Sequence, residues 1–290
     1  MPPKLAAYLT QKTAVIEQAL NDYLTFSPDV PRELAAAMRY AVLNGGKRIR
    51  PALMLAVAEL LSVAEAKILP VACALEIVHS YSLAHDDLPC MDNDAWRRGQ
   101  PSCHKKFGEA VALLAGDTLQ ALAYEIIARD CPPESALELI KNLGAASGIY
   151  GMAGGQALDL SGAVKTLPEL QKMHALKTGA LLQYAVTAPL CLAETTEQVR
   201  RALQDYADAV GLAFQIKDDI LDAVGTPETL GKTPGKDAGK NKATYVTLLG
   251  LEKAEELLAA ETNKACTSAK IFGKENLLLA MAQYLLERKN

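Results

Sequence analysis

The sequence predicts one all-α domain spanning residues 1–290, and three observations carry that expectation. Ala and Leu, both strong helix formers, dominate the chain. Apolar residues recur with helical period in nearly every segment, while the β-branched alternation of strands is missing. No charge-rich linker is long enough to divide the chain. With 290 residues, 50% of them hydrophobic and 22% charged, the protein buries a substantial core and is not a disordered chain.

Helix punctuation is readable along the sequence. Pro31 opens RELAAAMRYAVLNGG, which Gly45 and Gly46 close. The segment EAVALLAGDTLQALAYEIIA is apolar around most of its circumference, which predicts an interior helix. Pro133 precedes SALELIKNLG, with Gly144 at its expected C-terminal end. Thr166 and Glu169 have capping-box spacing before LQKMHALKTGALLQYAV, and Thr195 with Gln198 repeats it before VRRALQDYADAVGLAFQIKDDILDAV. The Gly/Pro/Lys-rich stretch at 225–245 reads as a long functional loop with a lid role.

Bulk properties exclude several classes. A net charge of −4 and a pI near 5.7 give no footprint for nucleic acid. The N-terminus lacks a signal-peptide apolar core, and no uncharged apolar run reaches the roughly 18 residues of a membrane span. Six cysteines without a CxxC pair read as reduced thiols in a cytoplasmic protein.

Two acidic clusters then need explaining. In KDDILD, Asp218 and Asp222 lie about 40° apart on a helix and share a face, with Asp219 one residue round. In AHDDLPCMDND, Asp86 and Asp92 would sit about 120° apart on a straight helix. Pro89 interrupts that ladder, and a bulge around it would swing Asp92 back toward Asp86 and Asp87. Like charges this close repel unless a cation neutralises them. Carboxylate oxygens without His or Cys spacing favour a hard cation, and no EF-hand pattern is present. Magnesium, which completes its shell with substrate phosphates, is the natural choice. Cations for a phosphate are present: Lys47, Arg48 and Arg50 in GGKRIRP, and Arg97 and Arg98 in WRRGQP directly after the first cluster. His85, His104 and His174 read as structural.

At this point the chain resembles the trans-isoprenyl diphosphate synthases, specifically the short-chain bacterial farnesyl type. The motifs GGKRIRP, HDDLPCMDNDAWRRG, GGQALDL, LKTGAL, GLAFQIKDDILD and GKTPGKDAGKNKATY occur in the family's order. Trp96 and Ala95 depart from the common pattern without removing a ligand.

The resemblance implies a single helical bundle of isoprenoid synthase type around a deep hydrophobic cavity. It implies three magnesium ions with substrate bound, held by Asp86, Asp87, Asp92, Asp218, Asp219 and Asp222. It places Lys47, Arg50, His79 and Arg98 on isopentenyl diphosphate, and Arg97, Lys177 and Lys232 on the allylic diphosphate. Thr178 and Gln215 would steady the allylic carbon, with Gln156 behind them, Lys242 in a closing loop and Phe214 as a cavity wall. Tyr81, about 7.5 Å along the axis from Asp86, would form a chain-length floor with Ser82. Isopentenyl diphosphate and an allylic diphosphate are the expected substrates, and a homodimer the expected assembly. A geranylgeranyl or geranyl diphosphate synthase keeps the same catalytic residues. A terpene cyclase lacks the GGKRIRP clamp, a non-catalytic partner subunit tends to lose aspartates, and a simple cation-binding helical protein would turn nothing over.

Overall fold

The structure, a computed structural model, describes residues 1–224 and 243–287. It is almost wholly helical, as the sequence predicts. Backbone contacts group into two units, residues 8–141 and residues 1–7 with 142–290. Helix α1 (Pro3–Tyr23) begins in the second unit and runs into the first, and α7 (Pro133–Ser147) ends in the second.

The unit of residues 8–141 holds α2 (Arg32–Leu43), α3 (Ile49–Leu60), α4 (Glu65–Asp86), α5 (Cys103–Phe107) and α6 (Glu109–Asp130). Pro31 stands at the N-cap of α2 as expected, because its fixed φ suits a helix entry. Helix α4 is buried nearly all round: Ile68, Val71, Leu75, Ile77 and Val78 are solvent-free, and α3 and α6 pack against it. Among the described residues, one short ribbon with two residues in each strand interrupts the helices. Trp96 pairs with Pro101 and Arg97 with Gln100, and Arg98 and Gly99 between them both have positive φ. Two positive φ values at the tip match the twist of a tight hairpin.

Two expectations need correction here. Helix α7 continues through Gly144 to Ser147, so that glycine is an interior residue and not a stop. Helix α6 is not enclosed: Ala112, Ala115, Leu119, Ala123 and Ile126 are buried, while Leu113 and Leu114 on its other side are 46% and 53% exposed. By length and composition α4 and α6 would each suffice to cross a bilayer; most of α4's apolar stretch is instead buried within the protein.

The other unit comprises α8 (Met152–Ser161), α9 (Leu167–His174), α10 (Ala180–Thr187), α11 (Glu197–Val224), α12 (Tyr245–Leu249), α13 (Leu251–Ala269) and α14 (Leu277–Glu287). Leu170, Met173, Ile216, Ile220, Tyr245 and Leu258 form its core between α9, α11, α12 and α13. The Thr166–Glu169 capping box is formed, with the Thr166 N–H donating to Glu169 Oε2 at 3.0 Å. The next cap falls one residue later than predicted. Thr196, not Thr195, accepts the N–H of Val199 (3.3 Å), because α11 starts at Glu197.

Candidate active site

The first acidic cluster is a helix end followed by a tight return of the chain. Helix α4 stops at Asp86, three residues before Pro89, whose missing N–H cannot extend the helical ladder, and the backbone turns. The Asp92 N–H then donates to the Asp86 carbonyl at 2.8 Å, and Asn93 to Leu88 at 3.1 Å. Asp92 is thereby tied to Asp86 through the backbone, by termination of the helix and not by the bulge within it that the sequence suggests.

Asp87 is buried, and its carboxylate receives Arg97 through Nε (3.1 and 3.2 Å) and Nη2. Burial pushes the Asp87 carboxyl above the ordinary range while Arg97 draws it back. Burial also opposes the Arg97 charge, but Asp87, Asp86 and Asp92 together hold its pKa above the usual value. The hairpin thus places one predicted allylic-site cation directly on a predicted metal ligand.

The basic motif GGKRIRP separates into two roles. Arg48 has a left-handed backbone and a fully buried side chain. It donates to Glu17 (2.7 Å), Glu76 (2.7 Å) and the Val42 carbonyl (2.7 Å). These partners correct its expected part in phosphate binding: Arg48 is an internal strut. Arg50 instead approaches His79 Nε2 at 3.4 Å. Arg98 donates to Asn44 Oδ1 (3.2 Å) and to the Gly45 carbonyl, and a Cβ at Gly46 would lie 2.8 Å from its guanidinium carbon. The two glycines therefore leave room for Arg98 to lie against the loop. Lys47 is exposed in the same loop. Burial and the fields of Arg48, Arg97 and Arg50 lower the Arg98 pKa against the pull of Glu76. Cations gathered at such cost are preorganised for a multiply charged anion.

His79 has a measurable signature. Burial, then Arg50, Arg98, Arg97 and Arg48, hold it well below the usual 6.5. The folded protein keeps it neutral, whereas the unfolded chain takes up a proton as pH falls through about 6.5. The stability contributed above that pH is lost below it, with a slope approaching about 1.4 kcal/mol per pH unit for one proton. We expect His79→Gln to flatten the decline between neutral and mildly acid pH, as read from urea midpoints. His104, also lowered by burial and by Lys105, retains a residual slope. A variant as acid-labile as the parent would contradict this assignment.

In the other unit, Gln215, Asp218 and Asp222 form one stripe of α11, spaced three and four residues apart, and all are half-buried. Phe214 lies one turn before Asp218. Asp219 has a structural task, since its Oδ2 accepts the Tyr245 N–H at 2.8 Å and so fixes the start of α12. Lys177 and Thr178 lie in a one-turn π-helix, Ala175–Gly179, between α9 and α10. Such wide turns recur at functional sites, and neither motif spacing nor periodicity reveals this one. Lys177 Nζ bonds Asp159 Oδ2 at 2.6 Å. Sequence reasoning did not single out Asp159, although GGQALDL places it three residues after Gln156 on the same helix. A Cβ at Gly155 would lie 2.1 Å from the Lys177 backbone nitrogen, so this glycine lets α8 abut the π-turn.

Among the described residues, no three His, Cys, Asp or Glu side chains surround one metal point. The donor set still fits magnesium, which takes few protein oxygens and keeps waters and phosphate ligands. Buried Gln156 is consistent with a ligand near α8, because among the described residues neither of its side-chain polar atoms has a partner. Lys232 and Lys242, with most of the predicted lid, lie outside the described residues. A cleft of about 1130 Å³ lined by Gln183, Asp208, Gly211 and Lys264 contains none of the predicted site residues.

The polyprenyl synthetase family model matches residues 31–275. A farnesyl diphosphate synthase of Geobacillus stearothermophilus is 46% identical over 87% of this chain and 86% of its own. The farnesyl diphosphate synthase of Escherichia coli K12 is 42% identical over 99% of this chain and 98% of its own. The apo crystal structure of an FPP/GFPP synthase from Zymomonas mobilis superposes with a TM-score of 0.88 at 40% identity, covering 99% of this chain and 100% of that one. The motifs, the helical architecture and these matches place the chain in the polyprenyl synthetase family.

Proposed function

We propose that this protein is a magnesium-dependent farnesyl diphosphate synthase. It joins isopentenyl diphosphate first to dimethylallyl diphosphate and then to geranyl diphosphate. The observation that carries this reading is the cation cluster of Arg50, Arg98 and neutral His79, built beside an acidic helix end. A clamp for a second diphosphate suits a two-substrate condensation.

Magnesium, once bound by the two acidic clusters, would neutralise charge growing on the leaving diphosphate. Arg97 in one unit and Lys177 in the other would each offer a cation to a diphosphate oxygen as the bond from that oxygen to the allylic C1 breaks. Thr178 and Gln215 would turn oxygen dipoles toward the resulting cation. The double bond of isopentenyl diphosphate, held by Lys47, Arg50 and Arg98, then supplies the electron pair for the new carbon–carbon bond. Loss of a proton to the departed diphosphate restores a double bond. No nucleophilic side chain is required, and apolar surroundings such as Phe214 keep water from the cation.

Tyr81 is the proposed length limit. It is buried on α4, five residues before Asp86, and Ser82 beside it bonds back to the His79 carbonyl at 2.9 Å. Removing the phenol should let the chain grow by another isoprene unit. The expected result for Tyr81→Ala is a shift of the main dephosphorylated product from farnesol to geranylgeraniol. An unchanged product profile would remove Tyr81 from this role.

The family match runs through both backbone units, which supports treating the chain as one functional domain. The exposed Leu113 and Leu114 of an otherwise apolar α6 support a homodimer with that face covered. Leu114→Glu should then yield monomers by light scattering at concentrations where the parent is a dimer. All six cysteines are free, which supports a reducing cytoplasmic setting.

A further inference from the structure

His85, which the sequence alone left as a structural residue, occupies a slot prepared on the neighbouring helix. It lies in the last turn of α4, directly before Asp86. Its Nε2–H donates to the Leu113 carbonyl of α6 at 3.0 Å. The imidazole fills the space where Gly116 lacks a side chain: a Cβ there would lie 2.0 Å from Nε2 and 2.4 Å from Cδ2. No other residue type at 116 leaves that space open. The Asp117 carboxylate, at 3.8 Å, borders the same slot.

Tyr81 sits one turn earlier on the same face of α4. Its ring meets the His85 ring edge to face, with centroids 5.8 Å apart and planes at 69°. On the next turn of α6, Gln120 Nε2 approaches the Tyr81 hydroxyl at 3.4 Å. Two successive turns of α6 thus hold two successive turns of α4, His85 at Gly116 and Tyr81 at Gln120.

We propose that His85, seated at Gly116, is a positioning residue for product length: it fixes the Tyr81 ring and so keeps the floor closed. The proposal rests on the reading of Tyr81 as that floor. A phenol has two side-chain torsions, and bulk alone does not decide which way the ring lies. The edge contact with His85 closes off the space on one flank of the ring, while Gln120 holds its far end. Length control is then shared between Tyr81 and a residue that need not touch the substrate.

The test measures the ratio of twenty-carbon to fifteen-carbon alcohols from the full-length protein, supplied with magnesium, isopentenyl diphosphate and geranyl diphosphate. The variants are His85→Ala, Gly116→Ala, their double, Gln120→Leu and Tyr81→Ala, each with its thermal midpoint recorded. Both single changes at the slot should raise the ratio by about tenfold, equivalent to about 1.4 kcal/mol between the two outcomes. The double should exceed neither single by much, because both remove the same contact. Gln120→Leu, away from the carboxylates and on the exposed side of α6, should raise it less. A loss of stability alone would lower total product without moving the ratio. If Tyr81→Ala lengthens the product while the slot variants and Gln120→Leu leave the ratio unchanged, the proposal fails and the floor stands. If Tyr81→Ala has no effect, the floor reading falls and the proposal with it.

Discussion

Asp86→Ala should lower kcat by about 10²–10³-fold and leave the fold intact. Removing one preorganised group that stabilises developing charge typically costs that much. The backbone makes the test clean. The contact that returns Asp92 to this helix end uses the Asp86 carbonyl at 2.8 Å, which alanine retains. The variant should therefore unfold near the parent's temperature and require more magnesium for its residual activity. Near-parent turnover at low magnesium would show that Asp86 does not serve the metal. Asp219→Ala should behave differently, because it also removes the acceptor for the Tyr245 N–H. Part of its loss would appear as about 1 kcal/mol of stability.

Arg48→Met should have the largest effect on stability, about 3–5 kcal/mol. Its guanidinium is solvent-free and bonds Glu76, which is itself buried, as well as Glu17 and a backbone carbonyl. Methionine fills much of the volume but leaves the Glu76 carboxylate buried without its main partner, and that is the costly term. Arg50, two residues on, should give the opposite pattern. Arg50→Met should raise the KM for isopentenyl diphosphate with a much smaller change in unfolding midpoint. Urea denaturation and steady-state kinetics on the pair separate the roles, and equal stability losses would contradict the division.

That division also shows what the sequence could and could not reveal. Helix positions followed from period and caps, because Pro31 and the Thr166–Glu169 pair act through local backbone chemistry. The clusters themselves were readable because acidic and basic residues concentrate in short motifs, and such motifs call for a cation and an anion. Which arginine of GGKRIRP turns inward was not readable. That depends on Glu17 and Glu76, 31 and 28 residues away in the chain. The π-turn carrying Lys177 and the pairing of Lys177 with Asp159 were hidden for a related reason. They arise where Gly155 lets α8 press against that turn, a tertiary approach with no periodic trace. The open face of α6 was misjudged because a helix apolar all round reads as interior, whether its cover comes from the same chain or from another copy.

The central claim is that this chain condenses isopentenyl diphosphate with an allylic diphosphate and stops at fifteen carbons. The most direct test incubates the purified protein with magnesium, isopentenyl diphosphate and either dimethylallyl or geranyl diphosphate, then chromatographs the dephosphorylated alcohols. The account predicts farnesol as the dominant end product from both starters. Absence of condensation with either one, in protein shown to be folded, would contradict it.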